Sequence, residues 1–538
     1  DHARRDRRAG DLLADAERLQ GNWHKAQAHL ETLREQLGEA DISRLDGVEL
    51  ALTEARLQRD QGQSAAALTS YRHAIDLLGT AREKAASRED LRARWASRFQ
   101  ALFKEPLAML MGENAVAEVA TLEAQYRWQA SRALLGDGPA SATLPWPTAP
   151  PRAIALGRDQ VLLSLVVLPD STVLLVYTAD QAVPTLFALP VGQAQWRERI
   201  RRWRTLLAAP DAPAVAHAAQ RQGHALYRDL FGQLPAEIRA KSRWVIVPDA
   251  DLHDLPWAAL VVNDTPEPVY LIERASIALA ASVDSFNLLT DRPNTGLRAV
   301  GAGDAVGSTQ QESDTPQQRQ TGAQLGAARD EVLALREVFG PDTRIALGQQ
   351  ASEAWLREQA RTARWLHVAV HGLLDRENPL RSQLLLSSGS GAGDDDGRIS
   401  AAEVMAQWSL PGSVVTLSAC DSALGQAFGG EGLQGLVQAL QLAGAKTVFG
   451  TLWAVDDAST GWLMRALQPR IAKGEDLDSA LAASQRDWLK LAREADASWW
   501  HAALATLGLA ERLPTGAAAP YFWAGLSVHG ATRSETTQ

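Results

Sequence analysis

The chain has 538 residues, of which 46% are hydrophobic and 22% charged. This is too long for one hydrophobic core and is ordinary for a globular protein of two or three domains. A net charge of −10 and the absence of a Lys/Arg run with interleaved aromatic residues argue against direct nucleic-acid binding. The single cysteine, Cys420, excludes an internal disulfide framework and a cysteine-based zinc site, and favours a cytoplasmic location.

Residues 1–137 predict an all-helical domain, because large apolar residues recur there three and four positions apart. Gly21 and Gly62 each precede an Ala-rich segment of this kind, so each predicts a turn followed by a helix. The segments are typical of tetratricopeptide-like repeats, but the two glycines are 41 positions apart and the usual period is about 34 residues. A looser array of helix pairs and an irregular helical domain stay open. Each of these offers a surface for a partner or activator protein.

Residues 138–151 are rich in Pro and Gly and predict a linker. After the linker, short apolar runs alternate with amphipathic segments, which predicts a mostly parallel α/β sheet with helices on both faces. The apolar runs include VLLSLVVL, STVLLVY, RWVIVPDADL, LRAVGAGD, WLHVAVHG, SVVTLSAC and KTVFGTLWAV, and the amphipathic segments include residues 327–340 and 430–445.

No segment predicts a membrane span. The longest apolar stretch, residues 161–177, is interrupted by Pro-Asp-Ser at 169–171 and therefore predicts two strands and a turn. Because the sequence begins at Asp1 and lacks an initiating Met, we expect a fragment or a processed product from which any targeting signal has been removed.

The one cysteine lies where a predicted buried strand ends. The run SVVTLSAC ends at Cys420, and 49 positions earlier WLHVAVHG ends in His371 and Gly372. Since parallel strands end at the same edge of a sheet, this pattern predicts that an imidazole and a thiol meet there, and caspases also place His about 50 residues before Cys. His371 is then the general base and acid for a Cys420 thiolate, with the amides of Gly372 and Cys420 as an oxyanion hole. The structural alternative is a cysteine that packs as a small hydrophobic residue.

Other polar residues predict structural roles. His367 lies four residues before His371 on the same strand face, so we expect it in the core. His253 lies among acidic residues but has no second ligand at usable spacing, so no metal site is predicted. Asp456 and Asp457 are expected to cap a helix, and Asp457 is also a candidate for the substrate cleft. Residues 429–435 lack the Lys-Ser/Thr of a nucleotide-binding loop, and the chain has no G-x-S-x-G serine-hydrolase motif.

The segments around the His and Cys carry a family resemblance. LHVAVHGLLDRENPLRSQLLLS and SVVTLSACDSALGQAFGGEGLQGLVQALQLAGAKTVFGTLWAVDDAST, with VIVPDADLHDLPWAAL upstream and PYFWAGLSVHG downstream, resemble the CHAT family. This is a family of caspase-like cysteine peptidases associated with tetratricopeptide repeats and related to caspases and separases. The likeness extends in order over about residues 115–530.

The resemblance implies a caspase-like fold with His371 and Cys420 as catalytic residues. It also implies a non-catalytic, pseudo-caspase-like half at residues 152–294 and a catalytic half at 295–538. Cys420 is preceded by Ser-Ala and followed by Asp-Ser, which departs from the caspase motif Q-A-C-[RQG]-G. Caspase specificity for aspartate is therefore not implied.

Two acidic residues are further candidates for the substrate pocket. Asp421 adjoins the nucleophile and Glu431 lies in the following Gly-rich loop. Carboxylates in a pocket favour a basic side chain on the substrate residue before the scissile bond. The family resemblance adds that relatives often cut after basic residues. The alternative is that both residues only shape a loop or a helix start.

Together these patterns predict a regulated cysteine endopeptidase that needs no cofactor. The helical domain is expected to bind a regulator, and the polar segments 303–324 and 387–398 are candidate switches or self-cleavage loops. Two alternatives stay open: a scaffold that only binds proteins, and an acyltransferase or ligase that uses the same dyad but excludes water from the acyl-enzyme.

Overall fold

The computed structural model divides the chain into two compact units. Residues 1–126 and 145–150 form the first, and residues 127–144 and 151–538 form the second. The domain boundaries predicted from the sequence stay predictions. The residues described are 2–36, 45–84, 89–111, 115–133, 146–153, 155–209, 213–264, 267–305, 326–375, 378–388, 396–419, 426–428, 432–453, 456–494 and 517–533.

Helices are the regular secondary structure of the first unit within its described residues. Its small apolar core joins Ala14, Ala26, Leu30 and Leu57 from the first three helices. The boundary between the units falls inside the sixth helix, after Tyr126. The helices are α1 (His2–Leu19), α2 (Trp23–Gln36), α3 (Leu45–Asp60), α4 (Ser64–Lys84), α5 (Glu89–Leu110) and α6 (Val116–Ala133).

The two predicted glycine turns are confirmed. Gly21 lies between α1 and α2, and Gly62 lies between α3 and α4, with φ of 76° and 77°. Glycine adopts this left-handed conformation without the steric cost that a Cβ atom imposes. In each turn the glycine N–H donates at 2.9 Å to a carbonyl in the last turn of the preceding helix, that of Arg18 or Arg59. The first unit therefore contains two helix pairs built on the same turn; a tetratricopeptide repeat stays a prediction.

The second unit is built on one sheet of eleven strands, in the order β3-β2-β1-β4-β7-β18-β17-β14-β10-β8-β9. Three smaller sheets pair β5 with β6, β11 with β12 and β13, and β15 with β16. The strands are β1 (Gln160–Val167), β2 (Thr172–Tyr177), β3 (Thr185–Leu189), β4 (Arg243–Val247), β5 (Val261–Asn263), β6 (Val269–Tyr270), β7 (Ser276–Leu279), β8 (Arg298–Gly303), β9 (Arg344–Leu347), β10 (Ala363–Ala369), β11 (His371–Leu373), β12 (Gln383–Leu385), β13 (Arg398–Ser400), β14 (Val414–Leu417), β15 (Gln426–Phe428), β16 (Gly432–Gln434), β17 (Thr447–Thr451) and β18 (Leu526–Gly530).

Helices connect most of the sheet strands. Within the described part of the chain, no helix is both long and apolar enough to span a membrane. The helices are α7 (Gln193–Leu207), α8 (Pro213–Phe231), α9 (Ala236–Arg239), α10 (Val283–Asp291), α11 (Gly326–Phe339), α12 (Glu353–Ala360), α13 (Ala401–Gln407), α14 (Leu436–Leu442), α15 (Asp457–Ala472), α16 (Leu477–Glu494) and α17 (Pro520–Trp523).

The predicted fold class is confirmed: the sheet is mostly parallel and helices pack on both faces. Among the described strands of this eleven-stranded sheet, the antiparallel pairs are β1 with β2, β2 with β3, and β17 with β18. Successive side chains of β10 point to opposite faces of the sheet, because side chains alternate along a strand. Leu366 and Val368 pack in a cluster with residues of α12, α13 and α14, whereas Trp365 packs with residues of α11, α15 and α16.

One predicted helical segment is shorter than expected. Residues 430–445 contain a helix only from Leu436 to Leu442. The preceding residues 432–434 form β16, which pairs antiparallel with β15. Gly435 separates the two elements with φ of 155°, a backbone conformation that glycine adopts readily. Residues 432–434, which the sequence pattern assigned to the helix, therefore form a strand.

Candidate active site

The two strands predicted to carry the catalytic pair are neighbours. β10 and β14 are parallel, and Val368 lies opposite Leu417 in their register. Just beyond this pair, the N–H of Ser418 donates to the carbonyl of Val368 at 2.9 Å. Both strands are buried in the same core cluster. The chain therefore leaves β10 and β14 at the same edge of the sheet, as the sequence predicted.

His371 follows β10 at this edge. After Ala369 the chain passes through buried Val370 into β11, whose first residue is His371. β11 pairs antiparallel with β12, and His371 lies opposite Leu385. The side chain of His371 is half-buried. The histidine is thus held by a small second sheet as well as by the end of β10, which the sequence analysis did not predict.

The residue before Cys420 is fixed by a side-chain hydrogen bond. Ala419 is only 3% exposed, and its carbonyl accepts a hydrogen bond from the hydroxyl of Thr451 at the end of β17. Cys420, Asp421 and Glu431 lie outside the described residues. His371 is three residues beyond Val368, and Cys420 is three residues beyond Leu417. The two predicted catalytic positions therefore follow one paired register point by the same number of residues.

The second histidine of β10 is a core residue, which confirms the prediction for His367. Its side chain is fully buried, and its Nε2 lies 3.1 Å from Oε2 of Glu331 on α11. Glu331 is itself buried, and its carbonyl accepts from the side-chain amide of Gln468. The His367–Glu331 contact lies on the face of the sheet that α11 and α15 cover.

Asp456 caps α15, as predicted. Its Oδ2 accepts from the N–H of Ser459 at 2.8 Å, which satisfies one of the free amides at the helix start. Asp457 is the first residue of the helix, but its side chain lies outside the described residues, so its place in a substrate cleft stays a prediction. Within the described part of the chain, no group of three or more His, Cys, Asp or Glu is arranged to hold a metal ion.

Three further residues lie at this edge, and no local sequence pattern indicated their contacts. Thr451 anchors Ala419, as described above. Asp304 follows β8, has a φ of 51° and pairs with Arg329 at 3.1 Å. Trp453 follows β17 and its indole N–H donates to the carbonyl of Tyr521 at 3.0 Å. Each is a polar or aromatic residue at or just beyond the end of an apolar strand run, which is the signal that singled out His371.

Comparison with known families identifies the second unit. The family model of the CHAT domain matches residues 220–531, which is more than half of the chain. The chain belongs to the CHAT family. The CHAT match includes all of the residues predicted for the active site and its pocket, from His371 to Asp457. A search of curated proteins found no match.

Solved structures similar to this CHAT protein have low sequence identity to it. The separase–securin complex of Saccharomyces cerevisiae is 10% identical with a TM-score of 0.47; the alignment covers 95% of this chain and 38% of that chain. Gingipain R, an Arg-specific cysteine proteinase, is 9% identical with a TM-score of 0.33, and the alignment covers 63% of this chain and 75% of that chain. This CHAT protein therefore spans well under half of the separase chain.

Proposed function

We propose that this CHAT protein is a regulated cysteine endopeptidase in which Cys420 and His371 form the catalytic dyad. The observation that carries the proposal is the register of β10 and β14, which pairs Val368 with Leu417, each three residues before a proposed catalytic residue. Membership in the CHAT family also supports the proposal, because the family model matches residues 220–531 and not only the segments around His371 and Cys420. The first unit binds a regulator, and the protein acts in the cytoplasm without a cofactor.

The proposed reaction uses the dyad twice. His371 takes the proton of the Cys420 thiol, and the thiolate sulfur attacks the carbonyl carbon of the scissile peptide bond. The resulting oxyanion accepts hydrogen bonds from the amides of Gly372 and Cys420. The C–N bond breaks as the His371 imidazolium gives its proton to the leaving amine. Water, deprotonated by His371, then attacks the thioester, releases the new carboxylate and restores the thiol.

Substrate choice and control are assigned to the loops beyond the strands. The carboxylates of Asp421, Glu431 and Asp457 form a pocket for a basic side chain. β10 and β14, which lead to the two proposed catalytic residues, are core strands, whereas the proposed switch segments are polar loops. In this proposal the regulator releases an inactive resting site by ordering the segments 303–324 and 387–398.

The dyad can be tested without knowing the substrate, because Cys420 is the only thiol in the chain. An ordinary cysteine with a pKa of about 8.5 is well under 1% thiolate near pH 6, whereas a neighbouring imidazolium lowers a thiol pKa to about 3.5–7.5. Even after allowing for the weaker nucleophilicity of a low-pKa thiolate, we expect iodoacetamide to modify Cys420 near pH 6 about ten times faster in wild type than in His371→Gln. Intact-mass spectrometry measures the rate.

The matched control is His73→Gln, which removes an exposed histidine from α4 in the first unit. Its alkylation rate should equal that of wild type at every pH. In denaturant, all three proteins should react alike. Equal rates for wild type and His371→Gln near pH 6 would show that His371 does not activate the thiol, and the scaffold alternative would then be preferred.

Thr451 is expected to act as a positioning residue for Cys420. Thr451→Val keeps the shape of the side chain but removes the hydroxyl that donates to the Ala419 carbonyl. The loss of this buried hydrogen bond should cost about 1 kcal/mol of stability. Because a small misplacement of a reacting atom is costly, we expect cleavage to slow about tenfold and the pH profile of alkylation to shift towards that of a free thiol.

Thr447→Val provides the comparison at the other end of β17. The Thr447 hydroxyl donates to the carbonyl of Ala531, and both threonines are fully buried. The two variants should therefore lose similar amounts of stability, measured by chemical unfolding. Only Thr451→Val should change the rate at which the Cys420 thiol is alkylated. Equal changes in thiol reactivity for both variants would contradict a local role for Thr451.

A further inference from the structure

A cavity of about 340 Å³ lies at the amino-end edge of the sheet. Its walls include the first residues of β8 and β14, Arg298 and Val414, and also Trp365 near the start of β10. In a parallel sheet the first residues of the strands lie along one edge and their last residues lie along the opposite edge. The cavity is therefore on the side of the second unit that faces away from His371 and Ala419, and it is separate from the proposed catalytic site.

The charge around this cavity has one sign. Arg298, Arg364, Lys446 and Arg533 line it, and the described lining residues include no Asp or Glu. None of the three arginines forms an ion pair with another described residue, and Lys446 is only 4% exposed. Like charges gathered in a partly enclosed space raise the local positive potential and attract an anion. Arginine is well suited to bind carboxylate or phosphate oxygens with two parallel hydrogen bonds.

The lining of the cavity also includes apolar and aromatic residues. The rings of Phe339 and Trp365 stack there, with centroids 5.5 Å apart and planes at 29°, and Ile471 and Leu477 continue the surface. The Trp365 indole N–H is buried and has no hydrogen-bond partner among the described residues. Buried donors of this kind are nearly always satisfied in folded proteins, and Trp365 itself is one of the residues that line the cavity.

We infer that this cavity binds a small amphipathic anion: a carboxylate or phosphate group attached to a flat apolar body. The arginines bind the charged group and the Phe339–Trp365 wall contacts the apolar body. The volume falls within the usual range for small-molecule sites, about 300–1,000 Å³. A comparable cavity beside Tyr270 lacks this pattern, because its arginine, Arg493, is already paired with Glu273 at 2.7 Å.

Isothermal titration of the full chain with four probes tests the site. 1-Naphthyl phosphate and 2-naphthoate carry both features, neutral 2-naphthamide lacks the charge, and inorganic phosphate lacks the apolar body. We expect both naphthyl anions to bind saturably at one site per chain, and the other two probes to bind at least about tenfold more weakly. Arg364→Gln should weaken anion binding by about tenfold or more, since a charge-assisted hydrogen bond is lost.

Two control variants locate the binding. Arg361→Gln removes an exposed arginine three residues from Arg364 that does not line the cavity, and Arg493→Gln alters the comparable cavity; both should bind as wild type does. If thermal melting shows that Arg364→Gln is unfolded, exposed Arg533→Gln replaces it. The inference is wrong if neither naphthyl anion binds saturably, if 2-naphthamide or phosphate binds equally well, or if Arg493→Gln alone weakens binding.

Discussion

Replacement of either dyad residue is expected to reduce proteolysis by about 10³-fold or more. Cys420→Ala removes the nucleophile, and His371→Ala removes the group that activates the nucleophile and protonates the leaving amine. Because the two residues act as one unit, the double variant should be little worse than either single variant. This non-additivity separates a dyad from two residues that contribute independently to stability.

The measurement is the mapping of new peptide termini after incubation with a proteome, with and without candidate partner proteins. Wild type should generate new termini, whereas Cys420→Ala should not. Cleavage by a contaminating protease would appear in both samples. The same new termini in both, or none from wild type under any partner condition, would reject the peptidase and favour the scaffold alternative.

The same experiment separates hydrolysis from acyl transfer. In ¹⁸O-labelled water, hydrolysis of the Cys420 thioester places one solvent oxygen in the new carboxylate. A ligase or acyltransferase instead joins the acyl group to an amine, and the product carries no solvent oxygen. We therefore expect each new carboxyl terminus generated by wild type to carry the label, since the proposed reaction ends with attack by water.

Local sequence patterns predicted the strands that precede His371 and Cys420. The apolar runs correspond to buried strands, and the alternation along β10 predicted that His367 points into the core. The cap formed by Asp456 was also predictable, because a carboxylate that binds an amide three residues away is a local interaction. In each case the information lies within a few residues of the feature that it predicts.

The features that escaped prediction depend on contacts between distant residues. β18 lies between β7 and β17, antiparallel to β17 and parallel to β7, although more than 200 residues separate it from β7 in the sequence. No local periodicity specifies such a neighbour. The small sheet that holds His371 pairs β11 with β12, and Thr451 reaches Ala419 across 32 positions. Such pairings form only when the sheet is folded. The sequence therefore indicated where the strands end, but not which distant residues contact those ends.

Acid is expected to destabilise the second unit through a buried histidine outside the active site. His253 lies in a short 3₁₀ helix, Ala250–Asp254, and is only 9% exposed. Burial, reinforced by the Arg127 guanidinium and opposed by Asp249, lowers the pKa of His253 from 6.5 to about 3. Below pH 6.5 the unfolded chain therefore binds a proton that the folded chain does not. This contribution to stability is complete above pH 6.5 and is lost progressively as the pH falls towards 3.

The size of the effect follows from the difference between the two pKa values. Between pH 7.5 and pH 5, His253 should remove about 2 kcal/mol from the free energy of unfolding. His253→Gln should be less stable than wild type at neutral pH but should lose about 2 kcal/mol less on acidification. Pulsed hydrogen–deuterium exchange of β4 peptides across a urea series measures both values within the second unit.

A control must separate lost packing from lost titration. Leu252→Ala removes a fully buried neighbour of His253 and should cost about 2–5 kcal/mol at every pH, because no ionisable group is changed. Its dependence on pH should therefore match that of wild type, whereas that of His253→Gln should be shallower. If the free energies of unfolding of the two variants depend on pH in the same way, a group other than His253 causes the loss of stability in acid. His253 then takes up its proton in the folded chain at a higher pH than its burial implies.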